Sequence, residues 1–230
     1  MSAIRNLSCG NIVLLLLLIC TTANAQRKIS ADVEVKQAIS GKVMTITKSV
    51  YCANNGRLVV HFHTPDEFYV TMNQLGEARM YNPRTKESEV DNESGVSARE
   101  ELLYLFMTGR SNDLGLAQDG YKLTSTVNED GFLKKIFTSA TDGNLPKVEV
   151  VYQNYLPIYM AYLDVNGKAV NKTYLSNYTR FGRFTFPCRV TNITYPTAKD
   201  SSVVRTIYSN VKVDVDDPMF DFDIPSVSKH

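Results

Sequence analysis

The sequence is poor in the residues from which catalytic and metal sites are usually built. Its 230 residues include no tryptophan, only three histidines and only four cysteines. They contain no P-loop, dinucleotide fingerprint, nucleophile elbow or HExxH zinc helix. Lysine and arginine number 25 against 24 acidic residues, so the chain lacks the clustered excess of positive charge with which proteins grip nucleic-acid phosphates. The sequence therefore predicts a protein that is not an enzyme, needs no cofactor and binds no nucleic acid.

The chain also lacks an apolar run long enough to span a bilayer, which takes about 20 residues. Its longest run, residues 12–20, follows Arg5 and precedes the small-residue sequence Ala23-Asn24-Ala25. This order is typical of a signal peptide. We predict that residues 1–25 are removed after Ala25, that residues 26–230 form one domain, and that the protein is exported. Two alternatives stay open, a retained membrane anchor and lipidation of Cys20, although Ile19 is larger than the residue that a lipidation signal has before its cysteine.

Two cysteines remain in the mature chain, Cys52 and Cys188. An exported protein can keep a disulfide, and such a bond would close a long loop. Both side chains could equally be small buried hydrophobic groups, because the sequence does not place their Cα atoms. A Cys52–Cys188 disulfide therefore stays one of two alternatives.

From residue 31 onward, apolar and polar residues alternate in short runs rich in Val, Thr, Tyr and Phe. This period indicates antiparallel strands, and Asn166-Gly167 is the strongest of several hairpin signals. We expect neighbouring strands to pair in sequence order. The predicted strands are 32–40, 42–52, 57–63, 67–74, 77–82, 86–90, 121–128, 131–138, 147–153, 157–165, 168–178, 183–195 and 202–215.

One helix interrupts the strands. Ser97 and Glu100 have the spacing of a capping box, and Gly109 provides a stop, which predicts a helix over about 98–108. Residues 102–107 are apolar almost all round, so the helix is expected to plug a concave sheet. A weaker helical turn is predicted at 113–118.

One face of the predicted sheet is apolar from strand to strand. The period places on it, among others, Val203, Ile207, Val211 and Val213 of the last strand. The fold class is therefore mainly β (α+β), with a large apolar core or cavity. A half-closed barrel and an ordinary sandwich both agree with this pattern.

Two groups of polar residues invite a metal-site interpretation. His61 and His63 lie on one face of a strand, with Asp66 and Glu67 after it, but no further ligand has useful spacing. The acidic residues between Asp214 and Asp223 lack the calcium-loop pattern. We interpret the histidines as structural and the acids as solvated, and predict no metal. An enzyme that uses the two histidines with a metal is the alternative.

Two stretches carry a family resemblance. The first comprises residues 64–70, 75–77 and 80–83, which are a proline, an aromatic strand, a turn glycine and Tyr81-Asn82-Pro83. The second runs from Val211 to the Phe220-Asp221-Phe222-Asp223-Ile224-Pro225 element. In this order they resemble the periplasmic lipoprotein carrier and outer-membrane receptor family, the LolA/LolB fold.

The resemblance implies an unclosed barrel with a lid helix over an apolar cavity that accepts the acyl chains of lipoproteins. Its partners would be acylated lipoproteins or lipid acyl chains, an inner-membrane donor and an outer-membrane acceptor, and the protein would be a monomer. The alternative is an envelope scaffold or protein-interaction module with a filled core. By position, the cavity residues would be Phe62, Phe68, Val70, Met72, Leu102, Leu105 and Phe106.

Overall fold

The structure, a computed structural model, describes residues 28–39, 41–73, 77–91, 101–141, 143–197 and 200–225. The predicted signal peptide, the capping residues Ser97 and Glu100, and the turn glycine Gly76 lie outside these ranges. The described residues form thirteen strands in one antiparallel sheet, one α-helix and two 3-10 turns. The prediction of a mainly β fold with a single described helix is confirmed.

The elements lie close to the predicted runs. The helix, α1, is Leu102–Met107, and the 3-10 turns are Arg110–Asn112 and Pro218–Asp221. The strands are β1 (Lys28–Ile39), β2 (Lys42–Ala53), β3 (Leu58–Thr64), β4 (Phe68–Met72), β5 (Ala78–Asn82), β6 (Glu87–Asp91), β7 (Tyr121–Glu129), β8 (Phe132–Ser139), β9 (Lys147–Gln153), β10 (Leu156–Leu163), β11 (Ala169–Phe181), β12 (Phe184–Thr197) and β13 (Asp200–Val213). The predicted turn at 113–118 is a series of turns rather than a helix.

The sheet is open, and its middle joins the two ends of the chain. Its strand order is β6-β5-β4-β3-β2-β1-β13-β12-β11-β10-β9-β8-β7. The predicted pairing in sequence order holds for every step except β6 to β7, which are the two edges, while β1 pairs with β13 instead. The step from β6 to β7 contains α1, and a helix placed inside the sheet cannot be part of the short turn that joins hairpin strands.

An irregularity in β13 reverses which of its side chains face inward. Ser30 pairs with Lys212 and Asp32 with Ser209, so β13 has one extra residue there, and Asn210 has a positive φ of 50°. A bulge of this kind shifts the alternation by one residue. The prediction that Val203 and Ile207 share the inner face with Val211 was therefore wrong. The inward residues before the bulge are Thr206 and Tyr208.

The helix α1 packs inside the curve of the sheet. Leu103 is fully buried, and the Phe106 ring contacts the Phe186 ring edge-on at 5.3 Å between centroids. Phe186 in turn meets the Tyr208 ring at 4.9 Å. The helix ends at Met107. The backbone N–H of the next residue, Thr108, donates to the Tyr104 carbonyl, and Gly109 follows with a positive φ of 73°, as a C-terminal stop requires.

The buried residues that the structure describes form two hydrophobic clusters rather than one. The larger includes α1, β1 to β5 and β11 to β13, and the smaller is built on β7 to β9. Leu114, in the turn after α1, packs against both clusters. Predicted apolar faces of β3, β4, β9 and β12 all lie in one cluster or the other.

The C-terminal segment crosses the outer face of β2 and β3. Phe220 is buried with its ring edge-on to Tyr51 at 5.5 Å. The Arg57 guanidinium donates to the Phe220 and Phe222 carbonyls and pairs with Asp223 at 2.7 Å. The Asp223 side chain stays largely exposed. These contacts fix the segment from Phe220 to Asp223 to the sheet.

Candidate functional site

A cleft of about 590 Å³ lies between α1 with its following turn and the inner face of β10 to β13. Small-molecule sites have volumes of about 300–1,000 Å³. The cleft therefore has the size of a binding site for one small ligand or for part of a larger one.

Part of the cleft has an apolar wall, which the helix and the sheet build together. The helix and the turn after it contribute Leu102, Leu105 and Leu114, and the sheet contributes Met160, Leu175 and Val190. Leu175 and Val190 are direct neighbours on β11 and β12, so they point the same way.

The turn after α1 approaches the helix closely at Gly115. A Cβ on Gly115 would meet the Leu105 side chain at 3.4 Å, and its φ is +85°. A larger residue would strain this contact and the backbone. Asp113 holds the same turn, because its carboxylate accepts the backbone N–H groups of Gly115 and Ala117.

The rest of the cleft is polar. Thr173 donates its hydroxyl hydrogen to the Asn192 amide oxygen at 2.7 Å. Thr206 of β13, whose strand partner is Val190, also lines the cleft. Gln118 and Asp119 line the side nearest the turn after α1. Burial first, and then the nearby Asp113 carboxylate, raise the pKa of Asp119 above its ordinary value.

A buried polar group joins the start of the helix to the sheet. Glu101, at the start of α1, lies 3.8 Å from the Lys48 ammonium, and both side chains are less than one-fifth exposed. Its other oxygen accepts the Tyr208 hydroxyl at 3.3 Å. Burial and the neighbouring Glu101 raise the pKa of Tyr208 well above its ordinary value, so this hydroxyl stays a donor. These contacts tie α1 to β2 and β13.

The seven predicted cavity residues separate into two groups. Leu102 and Leu105 line the cleft, and Leu102 also packs against the larger hydrophobic cluster. Phe62, Phe68, Val70, Met72 and Phe106 belong to the larger hydrophobic cluster, where the Phe62 and Phe68 rings stack at 4.2 Å. The structure therefore brings two of the seven to the cleft and places the other five in the packing beside it.

The two cysteines are not joined in this structure. Cys52 is a buried free thiol and Cys188 a half-buried one. The strands β1 and β13 lie between their strands, which at about 4.8 Å per strand separates the backbones by about 14 Å along the sheet. The hydrophobic alternative describes them here, since both pack in the larger cluster. Burial raises the pKa of Cys52 well above that of an ordinary thiol.

The two strand histidines are held by other side chains on the outer face. His61 pairs with Glu67 at 3.2 Å and stacks on Tyr69. His63 bonds to the Ser49 hydroxyl at 2.9 Å. Among the described residues, no group of three or more His, Cys, Asp or Glu side chains is arranged to hold a metal ion.

Glu101, Tyr208 and the Thr173–Asn192 pair were not predicted from the sequence. Tyr208 was hidden by the reversal of parity in β13. The two polar residues on β11 and β12 look like the solvent-facing half of an alternating strand, which in an open curved sheet can also line a cleft.

Solved structures resemble this one over most of its length. A DUF1329 family protein from Desulfovibrio piger has 15% identity and a TM-score of 0.58, and the match covers 91% of this chain and 94% of that one. A LolA superfamily protein from Nitrosomonas europaea gives 14% and 0.56, covering 85% and 90% of the two chains. The chain has a LolA-like fold.

A third structure agrees with the LolA-like fold. It is described as a putative outer membrane lipoprotein-sorting protein domain from Vibrio parahaemolyticus, with 14% identity, a TM-score of 0.55 and coverage of 85% and 89%. No protein-family model and no curated protein matches the sequence. Within the described ranges, no helix has the length and apolar character to cross a membrane.

Proposed function

We propose that this protein is a non-enzymatic carrier of acyl chains, taking those of lipoproteins or of related lipids. The observation that carries the proposal is the cleft of about 590 Å³ beside an apolar helix, on a LolA-like fold. Each CH₂ group that leaves water for an apolar site is worth about 0.8 kcal/mol. The apolar wall formed by Leu102, Leu105 and Met160 supplies such a site.

The compartment and the partners are part of the proposal. A signal peptide cleaved after Ala25 would deliver the protein to the periplasm. There it would act as a monomer. The Vibrio parahaemolyticus domain is described as one that sorts outer-membrane lipoproteins. By analogy, the proposed partners of this protein are an inner-membrane donor and an outer-membrane acceptor. N-terminal sequencing of the exported protein, with Gln26 expected first, tests the cleavage site.

The deciding experiment is native mass spectrometry of the full exported protein, purified gently from the periplasm. We expect a mass excess that disappears after solvent extraction and matches an acylated peptide or a lipid. The extracted protein should bind an N-palmitoylated peptide again. A protein that arrives without ligand and cannot be loaded would contradict the proposal.

A pair of variants locates the binding site. Leu102→Glu places a charge on the apolar wall and should lower affinity for the palmitoylated peptide at least about tenfold, because a buried charge without a partner is costly. The matched control is Leu123→Glu on the edge strand β7, where the Leu123 side chain is about half exposed. This variant should bind the palmitoylated peptide as tightly as the wild type does. Circular dichroism checks that both variants remain folded. Equal affinities would remove the cleft from the proposal.

One observation favours a second candidate function, an envelope scaffold or interaction module. On the side of the larger hydrophobic cluster, the rings of Phe106, Phe184 and Phe186 fill the space between α1 and the sheet, whereas a carrier for several chains needs room there. A folded protein that binds no acyl probe but captures an envelope protein would support the scaffold.

A further inference from the structure

The charged residues described in the lining of the cleft are all negative. The described residues that line it include two carboxylates, Glu101 and Asp119, and no lysine, arginine or histidine. Lys48 lies 3.8 Å from Glu101 and balances that charge. No described ion pair involves Asp119, which stays exposed to solvent. Partial burial first, and then Asp113, a second negative group, raise its pKa.

The remaining polar lining is neutral. It offers the hydroxyl and amide groups of Thr173, Asn192, Thr206 and Gln118. These groups both donate and accept hydrogen bonds, so they can bind a head group that carries no charge. An amphiphile that lays its chain on Leu102, Leu105 and Met160 would place its head group among these side chains.

We propose that the cleft selects its amphiphile by head-group charge: it accepts an acyl or alkyl chain with a cationic or uncharged head group and disfavours a phosphate. This inference rests on the proposed acyl-chain binding and adds the class of head group. A phosphate near Asp119 would meet a like charge and no cation among the described lining residues, whereas an ammonium group would meet an opposite charge.

Three probes with the same chain length test the selection: dodecyltrimethylammonium, dodecanoyl glycerol and dodecyl phosphate. Each is titrated calorimetrically into the full-length mature protein, below its critical micelle concentration and at neutral pH. We expect the ammonium and glycerol probes to bind about fivefold or more tightly than the phosphate probe. The difference should shrink at high salt, because exposed charges are screened.

The variant Asp119→Asn should bring the phosphate affinity close to that of the glycerol probe. Asp216→Asn, on the exposed C-terminal segment, removes the same charge away from the cleft and should leave the wild-type order unchanged. This control separates a local effect from a change in net charge.

The outcomes distinguish the two proposals. If all three probes bind with the same affinity, or the phosphate binds most tightly, the head-group selection is overturned while acyl-chain binding stands. If none binds to the folded protein, the proposed function is wrong and the selection is wrong with it. Selection in the wild type that Asp119→Asn leaves intact would also overturn the role of this residue.

Discussion

The two sides of α1 meet different surroundings, although both are apolar. Leu103 and Phe106 point into the filled larger cluster, where Phe186 has no exposed surface. Leu102 and Leu105 point into the cleft. The packed side stabilises the fold and the cleft side leaves room for a ligand. Hydrophobicity by itself therefore does not tell a core residue from a binding residue in this helix.

The largest expected effect separates the packed side from the cleft side by stability. Phe186→Ala should lower the free energy of unfolding by about 3–5 kcal/mol, because the cavity it leaves is enclosed. Met160→Ala, at the half-buried cleft wall, should cost only about 1 kcal/mol. Urea unfolding of both variants measures the difference. Equal losses would mean that the two sides are packed alike.

An intermediate effect on stability is expected at the Glu101–Lys48 pair, which ties the start of α1 to β2. Lys48→Met leaves the mostly buried Glu101 carboxylate without its cation and should cost about 2 kcal/mol, less than the about 3–5 kcal/mol for a fully buried pair. Adding Glu101→Gln should recover part of this loss. A double-mutant cycle measures the coupling, and strictly additive losses would contradict it.

The smallest expected effect is a pH dependence of the free energy of unfolding. It concerns His63, which lies with His61 on the outer face of β3, a strand whose inner face packs in the larger hydrophobic cluster. Burial first, and then the neighbouring His61, lower the pKa of His63. The unfolded chain therefore takes up a proton at this site before the folded one does, so stability is complete above about pH 6.5 and falls as the pH drops below it.

We expect the loss to be well under 1 kcal/mol because His63 is only partly buried and keeps more than a third of its surface exposed. Urea unfolding at pH 7.5 and 5.5, with His63→Gln as the comparison, measures it. A slope that survives in His63→Gln would assign the titration to another group.

Local sequence predicted the elements well and their long-range relations poorly. The alternation of apolar residues and the turn signals placed all thirteen described strands within a few residues of their bounds. The pairing of β1 with β13 was not predictable from them, because nothing local marks two distant strands as neighbours. The bulge at Asn210 was missed for a related reason, since a one-residue insertion leaves the composition of a strand unchanged.

The candidate site was predictable only in its helix. The apolar run 102–107 indicated a helix inside the sheet, and Leu102 and Leu105 do line the cleft. The sequence could not show that the cleft opens beside β10 to β13 rather than over β3 and β4. That depends on which inner side chains fill the space under α1, and the rings of Phe106 and Phe186 fill it on one side only.

The central pair β1–β13 brings together residues 186 positions apart, as in the bond from the Lys28 backbone N–H to Asp214. Contacts between distant parts of a chain slow folding, since a large loop must close before they form. A circular permutant with a linker from Pro225 to Lys28 and new termini between Asp91 and Glu101 would interrupt none of the described strand pairs. Its central hairpin would become local, so it should refold faster than the natural chain while keeping the same sheet.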